Sequence, residues 1–247
     1  VDGERVEYVR AHPSRLDGTA VEALAQALAA QRRADDVVGP EVLLPGAEAH
    51  RETLLAMLKG ARGPHRDGLA TVVAEHVQFT GWLNAEARRD ARAVTLLAEA
   101  VELADEAENG PLAAQALNFH GYLARQQKRP HAAARWFSAA YLSPGATNAQ
   151  RMGDASQAAQ AYAAMGDRRS AVRLLGEATD LAEAAGGDPP LDTAYWLTSD
   201  YQHLNLGLAY LALEDTDTAA DHLRHGLATL PADQRDAVWA QEYKRAL

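Results

Sequence analysis

Nine histidines and no cysteine bound the chemistry open to this 247-residue chain. Without thiols there is no disulfide, no cysteine nucleophile, no iron–sulfur cluster and no thiolate zinc site. His222 and His225 stand three residues apart beside Asp221, so both imidazoles share one helix face and could take a zinc or nickel ion with a third ligand from elsewhere. A solvated face accounts for the same pair, and the two-histidine helix motif with a central Glu is missing, so we expect neither metal nor cofactor. Gly60, Gly63 and Gly68 are too dispersed for a phosphate loop, and no Gly-Lys-Ser or Gly-Lys-Thr follows them. No Gly-x-Ser-x-Gly offers a nucleophile elbow. Carboxylate pairs such as Asp35 with Asp36, or Glu99 with Glu102, are expected to face water, where nothing shifts a pKa toward general-acid work. The chain reads as a protein that is not an enzyme.

Charge then limits the partners. Lys and Arg number 24 against 34 Asp and Glu, a net charge of −10, which disfavours a phosphate-binding surface and direct contact with nucleic acid. The densest basic cluster is Arg125, Lys128, Arg129 and Arg135, which could receive an acidic peptide or an anion, or could simply be a solvated turn. The run from Asp90 to Glu108 is acidic and reads as a wet helix face. The longest apolar stretches, such as Ala20 to Ala30, are broken well before a membrane span is reached, so no membrane is expected. A cysteine-free chain fits a reducing cytoplasm. The start Val-Asp-Gly-Glu-Arg has neither signal pattern nor initiator Met, and reads as the beginning of an excised or processed piece.

The elements that must position these groups are helices. Apolar residues make up 47%, charged residues 23%, and Ala alone occurs 54 times, a composition rich in helix formers and poor in β-branched and aromatic residues. Arg outnumbers Lys 21 to 3, the bias of a GC-rich coding sequence such as those of actinobacteria. Thr19 is placed to cap a helix over Ala20 to Arg33, with Val21, Leu24, Ala25 and Leu28 on one face. A second helix is expected from about Gly46 to Lys59, ended by Gly60-Ala61-Arg62-Gly63-Pro64, with Pro64 opening the next. The stretch DDVVGPEVLLPG, and later Gly186-Gly187-Asp188-Pro189-Pro190, read as loops. Ala232 to Leu247 reads as a final helix carrying Val238, Trp239 and Tyr243, either a cap or the start of a further repeat.

Between these ends the sequence repeats. After Gly121 stand Ala133 at twelve residues, Phe137 at sixteen and Ala140 at nineteen, with Pro144 beyond; after Gly207 stand Ala219, Leu223 and Pro231. Gly81 is followed by Ala93, Leu97 and Ala100 at the same offsets, and Ala159 by Ala171, Leu175 and Ala178. The pattern predicts pairs of antiparallel helices, with the small residue at the crossing and Phe137, Leu223 or Tyr162 filling the space beside it. Each pair leaves an apolar face for its neighbour, which predicts an all-α solenoid.

These residues resemble the tetratricopeptide repeat over Ala74 to about Pro231, although Val77, Leu117 and His203 stand where the family has an early Trp. The intervals between the small residues are 40, 38 and 48, longer than the family's period. The resemblance implies a right-handed superhelix with extra N-terminal helices: residues 1–73 as an N-terminal helical segment, 74–231 as four repeats and 232–247 as a capping helix. It also implies that the first helix of each pair lines a concave groove. Carried onto this chain, that stripe holds Gln78, Phe79, Trp82 and Glu86; Gln115, Asn118, Phe119, Tyr122 and Arg125; Gln157 and Gln160; and Tyr201, Asn205 and Leu208. Amides, aromatics and an Arg together suit an extended peptide, while packing of the aromatics and solvation of the polar groups is the competing reading.

The phrases RRADDVVGP and ARGPHRDGLATVVAEHVQFTGWL, with the repeats, are similar to the C-terminal half of actinobacterial helix-turn-helix regulators. What that resemblance implies is a ligand- or peptide-binding sensor whose DNA-binding domain is not in this chain. A constitutive scaffold that holds a protein partner without switching is the alternative. Self-association through the apolar face around Trp239 and Tyr243 is a further expectation.

Overall fold

A computed structural model of the chain describes residues 2–184 and 194–247. Among these the regular elements are α-helices and one short 3-10 turn, with no strand. The chain divides into two compact units, Val1–Leu112 and Ala113–Leu247.

The first unit holds α1 (Asp2–Ala11), a 3-10 turn at Pro13–Arg15, α2 (Gly18–Val38), α3 (Pro40–Gly60), α4 (Arg66–Glu86) and α5 (Asp90–Glu106). Helix α1 lacks an apolar stripe and was not expected; it is anchored by the buried Val9. The cap of α2 is Asp17 and not Thr19: the Asp17 carboxylate accepts from the Ala20 N–H at 2.9 Å, so the helix begins two residues earlier. The expected loop DDVVGPEVLLPG is also corrected, because α2 continues to Val38 and α3 starts at Pro40. Only Gly39 breaks the run, at φ +79, and Pro40 sits at the helix start where its missing N–H costs nothing. Buried Arg32, Asp35 and Asp36 explain the extension, since this polar stretch is interior and has partners there. Three ion pairs join α3 to α5 and its N-cap residue in parallel register, Glu41 with Arg89, Glu48 with Arg92 and Arg51 with Glu99.

In the second unit α6 (Gly110–Gln126) is the first helix, followed by α7 (Pro130–Tyr141), α8 (Asn148–Ala164), α9 (Arg168–Ala184), α10 (Ser199–Ala212), α11 (Thr216–Thr229) and α12 (Ala240–Ala246). The loop expected at 186–190 lies outside the described residues. Residues 232–239 are not the continuous helix expected: i→i+3 bonds such as Gln234 N–H to Pro231 O (3.0 Å) make turns, and only α12 is helical. Those turns let Ala237, Ala240 and Tyr243 all reach the cluster of Leu204, Leu208 and Leu223.

The small residues of the repeat stand at helix crossings. A Cβ on Gly121 would come within 2.5 Å of the Phe137 ring, on Gly207 within 2.6 Å of Leu223 and on Gly81 within 2.9 Å of Leu97. The partner is sixteen residues on each time, so one offset fixes one packing contact three times. The pair α10/α11 is antiparallel: His203 meets His222 at a separation of 19 residues, while Asp200 meets His225 at 25.

A common turn closes each first helix. The N–H of Arg89, Arg129, Asp167 and Asp215 bonds the carbonyl five residues back, at 2.8 to 3.1 Å, the signature of a helix ending through a left-handed residue. Gly166 takes that conformation freely, whereas Arg88, Lys128 and Glu214 adopt it at φ of 58, 56 and 65.

Candidate functional site

In the second unit, the spacing of Gln115, Asn118, Phe119, Tyr122 and Arg125 puts them on one face of α6, and α8 brings its own polar face to meet them. Asn118 Nδ2 donates to Asp154 Oδ1 at 2.6 Å, and Arg125 donates to Gln157 Oε1 at 3.0 Å and Gln160 Oε1 at 3.3 Å. The separations of 36 and 35 residues, from Asn118 to Asp154 and from Arg125 to Gln160, stay constant along the pair, as for two helices running the same way. Gly153 admits α10: a Cβ there would lie 2.7 Å from Gln202 Oε1, the oxygen that accepts from Asn205 Nδ2 at 2.9 Å. Phe119 stacks on Trp196 with centroids 6.4 Å apart, and the Arg125 guanidinium lies 5.4 Å from the Tyr122 ring centre.

Asp154 is the chemically unusual member. It is 2% exposed, and burial pushes its carboxyl up to about 8, against the Asn118 hydrogen bond that works the other way. Burial thus favours its protonated form. In that form Oδ1 accepts from Asn118 and the hydrogen belongs on Oδ2, the oxygen buried without a partner. The Gln115 side chain is 8% exposed, and its Nε2 is also buried without a partner. Two unpartnered donors, an N–H and an O–H, thus lie buried on α6 and α8, with half-exposed Asn118 and Gln160 on the same helices.

The far end of the seam is covered by α12. Glu242 of α12 pairs with Arg125 at 2.9 Å and accepts from Gln126 Nε2 at 3.1 Å. Burial works against the Arg125 charge, and Glu242 together with Tyr243, Tyr122 and Tyr201 more than offsets it, holding the guanidinium above its ordinary pKa. The Tyr243 hydroxyl donates to Asn205 Oδ1 at 3.1 Å, with Tyr201 packed edge-on against the same ring. Tyr243, expected at a face for self-association, is buried inside its own chain. Sequence reasoning missed Asp154, Gln202, Glu242 and Tyr243 as seam members. The signal for Asp154 was present, since it lies one helical turn before Gln157.

In the first unit the stripe is interior. Arg32 of α2 donates to Gln78 Oε1, and the Trp82 indole N–H donates to Asp35 Oδ2 at 2.9 Å. Phe79 and Leu83 pack against Leu28 and Leu44, and Gln78 is 0% exposed. Asp35 and Asp36, expected in water, are both buried; burial pushes Asp35 up to about 6 although the Trp82 bond opposes it. His76 is pushed down to about 4 by burial, so the neutral ring donates from Nε2 to the Ala47 carbonyl at 3.1 Å.

The basic cluster divides: Arg125 joins the seam, Arg135 stacks over Trp136 at 4.8 Å, and Arg129 bonds Gln127. His222 and His225 do share a face, and His203 of α10 approaches both, its Nδ1 2.8 Å from that of His222. Burial, then the neighbouring imidazoles, push His203 and His222 below their ordinary value, so they are neutral rings at neutral pH. Among the described residues no group of three or more His, Asp or Glu is arranged to hold a metal ion, and no helix is long and apolar enough to cross a membrane. The chain matches no protein-family model, and no curated protein matches it significantly.

Proposed function

We propose that this chain is a binding module built from tetratricopeptide-type helix pairs, α4/α5, α6/α7, α8/α9 and α10/α11, and that the seam on α6, α8 and α10 receives an extended peptide. In the fuller reading the module is the sensor half of a transcription regulator whose DNA-binding domain lies outside the chain, and occupancy of the seam biases the helix pairs between two arrangements. The observation that carries the proposal is the pair of buried, unpartnered donors, Gln115 Nε2 and protonated Asp154 Oδ2. A buried donor without an acceptor is unfavourable by about 1–3 kcal/mol, and a ligand carbonyl that accepts from it recovers that loss on binding. Two such donors beside an Asn amide suit successive backbone carbonyls of an extended peptide. The equivalent polar atoms of the first unit, Gln78 Nε2 and Asp35 Oδ1, also lack partners, but they lie under α2 and its apolar contacts.

The test is a thermal-shift and fluorescence-anisotropy screen of the full chain against arrayed peptides, repeated with Gln115→Leu and Asp154→Leu. The expected result is a set of peptides that stabilise the chain and lose at least tenfold in affinity with either substitution. Peptides that bind equally well to all three proteins, or no binding peptide at all, would contradict the proposal.

A further inference from the structure

Arg125 sets a requirement that the rest of the seam leaves unmet. Its guanidinium is largely buried, and its partners on α6 and α8 are neutral, the Tyr122 ring and the amide oxygens of Gln157 and Gln160. A buried cation needs an anion, and the anion it has is Glu242, 117 residues away in sequence. One residue further, the Tyr243 hydroxyl satisfies Asn205. A carboxylate followed by an aromatic hydroxyl therefore occupies the two polar anchors that the proposed groove presents on α6 and α10. Helix α12, which carries both, is seven residues long and joined to α11 by turns, too short to be stable by itself.

We infer that α12 is a tethered occupant of the seam, and that the partner which replaces it is an amphipathic peptide segment with a carboxylate and an aromatic hydroxyl on consecutive residues. The inference rests on the peptide-groove reading and names the chemistry of the peptide. The carboxylate docks on Arg125 and Gln126, the hydroxyl on Asn205, and the ring against Tyr201. Because α12 is covalently attached, its effective concentration is in the millimolar range expected of a short tether, so a weak competitor fails and a strong one opens the site. The groove is in this way selective by threshold as well as by chemistry.

The experiment uses the full chain and a fluorescein-labelled synthetic peptide of residues 236–247. The Glu242→Gln, Tyr243→Phe double variant loosens α12 and leaves every side chain of α6, α8 and α10 unaltered, and is expected to bind the peptide at least tenfold more tightly than the unaltered chain. Adding Arg125→Gln to the double variant is expected to abolish that gain, and a scrambled peptide to bind neither protein. Hydrogen exchange on the unaltered chain provides a readout independent of variant folding: excess peptide is expected to accelerate exchange of amides 240–246. A double variant that keeps its circular dichroism but gains no affinity overturns the inference, and so does unchanged exchange in α12 at saturating peptide. Library peptides whose binding depends on Gln115 and Asp154 but not on Arg125 would overturn the inference and leave the peptide-groove reading standing. Loss of both dependences would remove both.

Discussion

The two units use matching stripe positions in opposite ways. In the first, Gln78, Phe79 and Trp82 are locked by Arg32, Leu28 and Asp35 of the 21-residue α2, and the stripe is core. In the second, Arg125, Gln126, Asn205 and Tyr201 are reached by a seven-residue helix through an ion pair, an amide bond to the same carboxylate and two hydroxyl contacts, and Gln160 remains half-exposed. Cover by a long helix makes the polar stripe a folding element, whereas cover by a short one fits the proposed recognition role. The carboxyls of Asp35 and Asp154 are alike in bonding, each with one oxygen bonded by an N–H and the other buried without a partner, and differ in the helix that covers them.

The strongest way to break this contrast is Arg32→Met. It strips the donor from Gln78 and from the Glu75 carbonyl and leaves Asp35 and Asp36 buried without that cation. We expect a loss of about 3–5 kcal/mol, confined to protection of amides in the first unit, checked by urea melts with hydrogen exchange. Next is Gly121→Ala, whose new methyl meets the rigid Phe137 ring at 2.5 Å; a loss of about 2–3 kcal/mol is expected. Gly81→Ala meets only the flexible end of Leu97 at 2.9 Å and is expected to be milder in the same melts.

Asp154→Asn sharpens the comparison through pH. The folded chain keeps a proton on Asp154 up to about 8, whereas the unfolded chain releases it near 3.8, so stability falls as pH rises across that interval and is level below and above it. Asp35 slopes the same way but is finished by about 6. His76 and His120, pushed down to about 4 by burial, slope the opposite way and are finished by 6.5. Between pH 6.5 and 8 the slope thus belongs mainly to Asp154. The Asn variant is expected to flatten thermal melts in that window and to exceed the unaltered chain most at its upper end, because a neutral amide avoids the buried charge. The smallest effect is expected from Lys128→Gly, which relieves a left-handed residue in the α6/α7 turn and adds up to about 1 kcal/mol, read as a small rise in Tm.

The helical class and the contacts at Gly81, Gly121 and Gly207 were legible because one spacing, sixteen residues from a glycine to a large side chain, encodes one packing contact repeatedly. Boundaries set by tertiary contacts were not. The polar residues Asp35 and Asp36 read as loop because sequence could not reveal that Arg32 and Trp82 would enclose them. The terminal segment read as one helix because its propensities are helical, while packing on Leu204 and Leu223 is reached through turns. On the stripe, residue types indicated polarity but not cover: nothing in Gln78 or Arg125 alone says that one meets α2 and the other meets Glu242, 117 residues on.

The most direct measurement is hydrogen exchange of the full chain with and without the tightest peptide from the array. The account predicts new protection at 115–125, 150–160 and 201–205, with amides 78–86 of α4 unchanged. Protection appearing at 78–86, or absent from all three segments of the second unit, would contradict it.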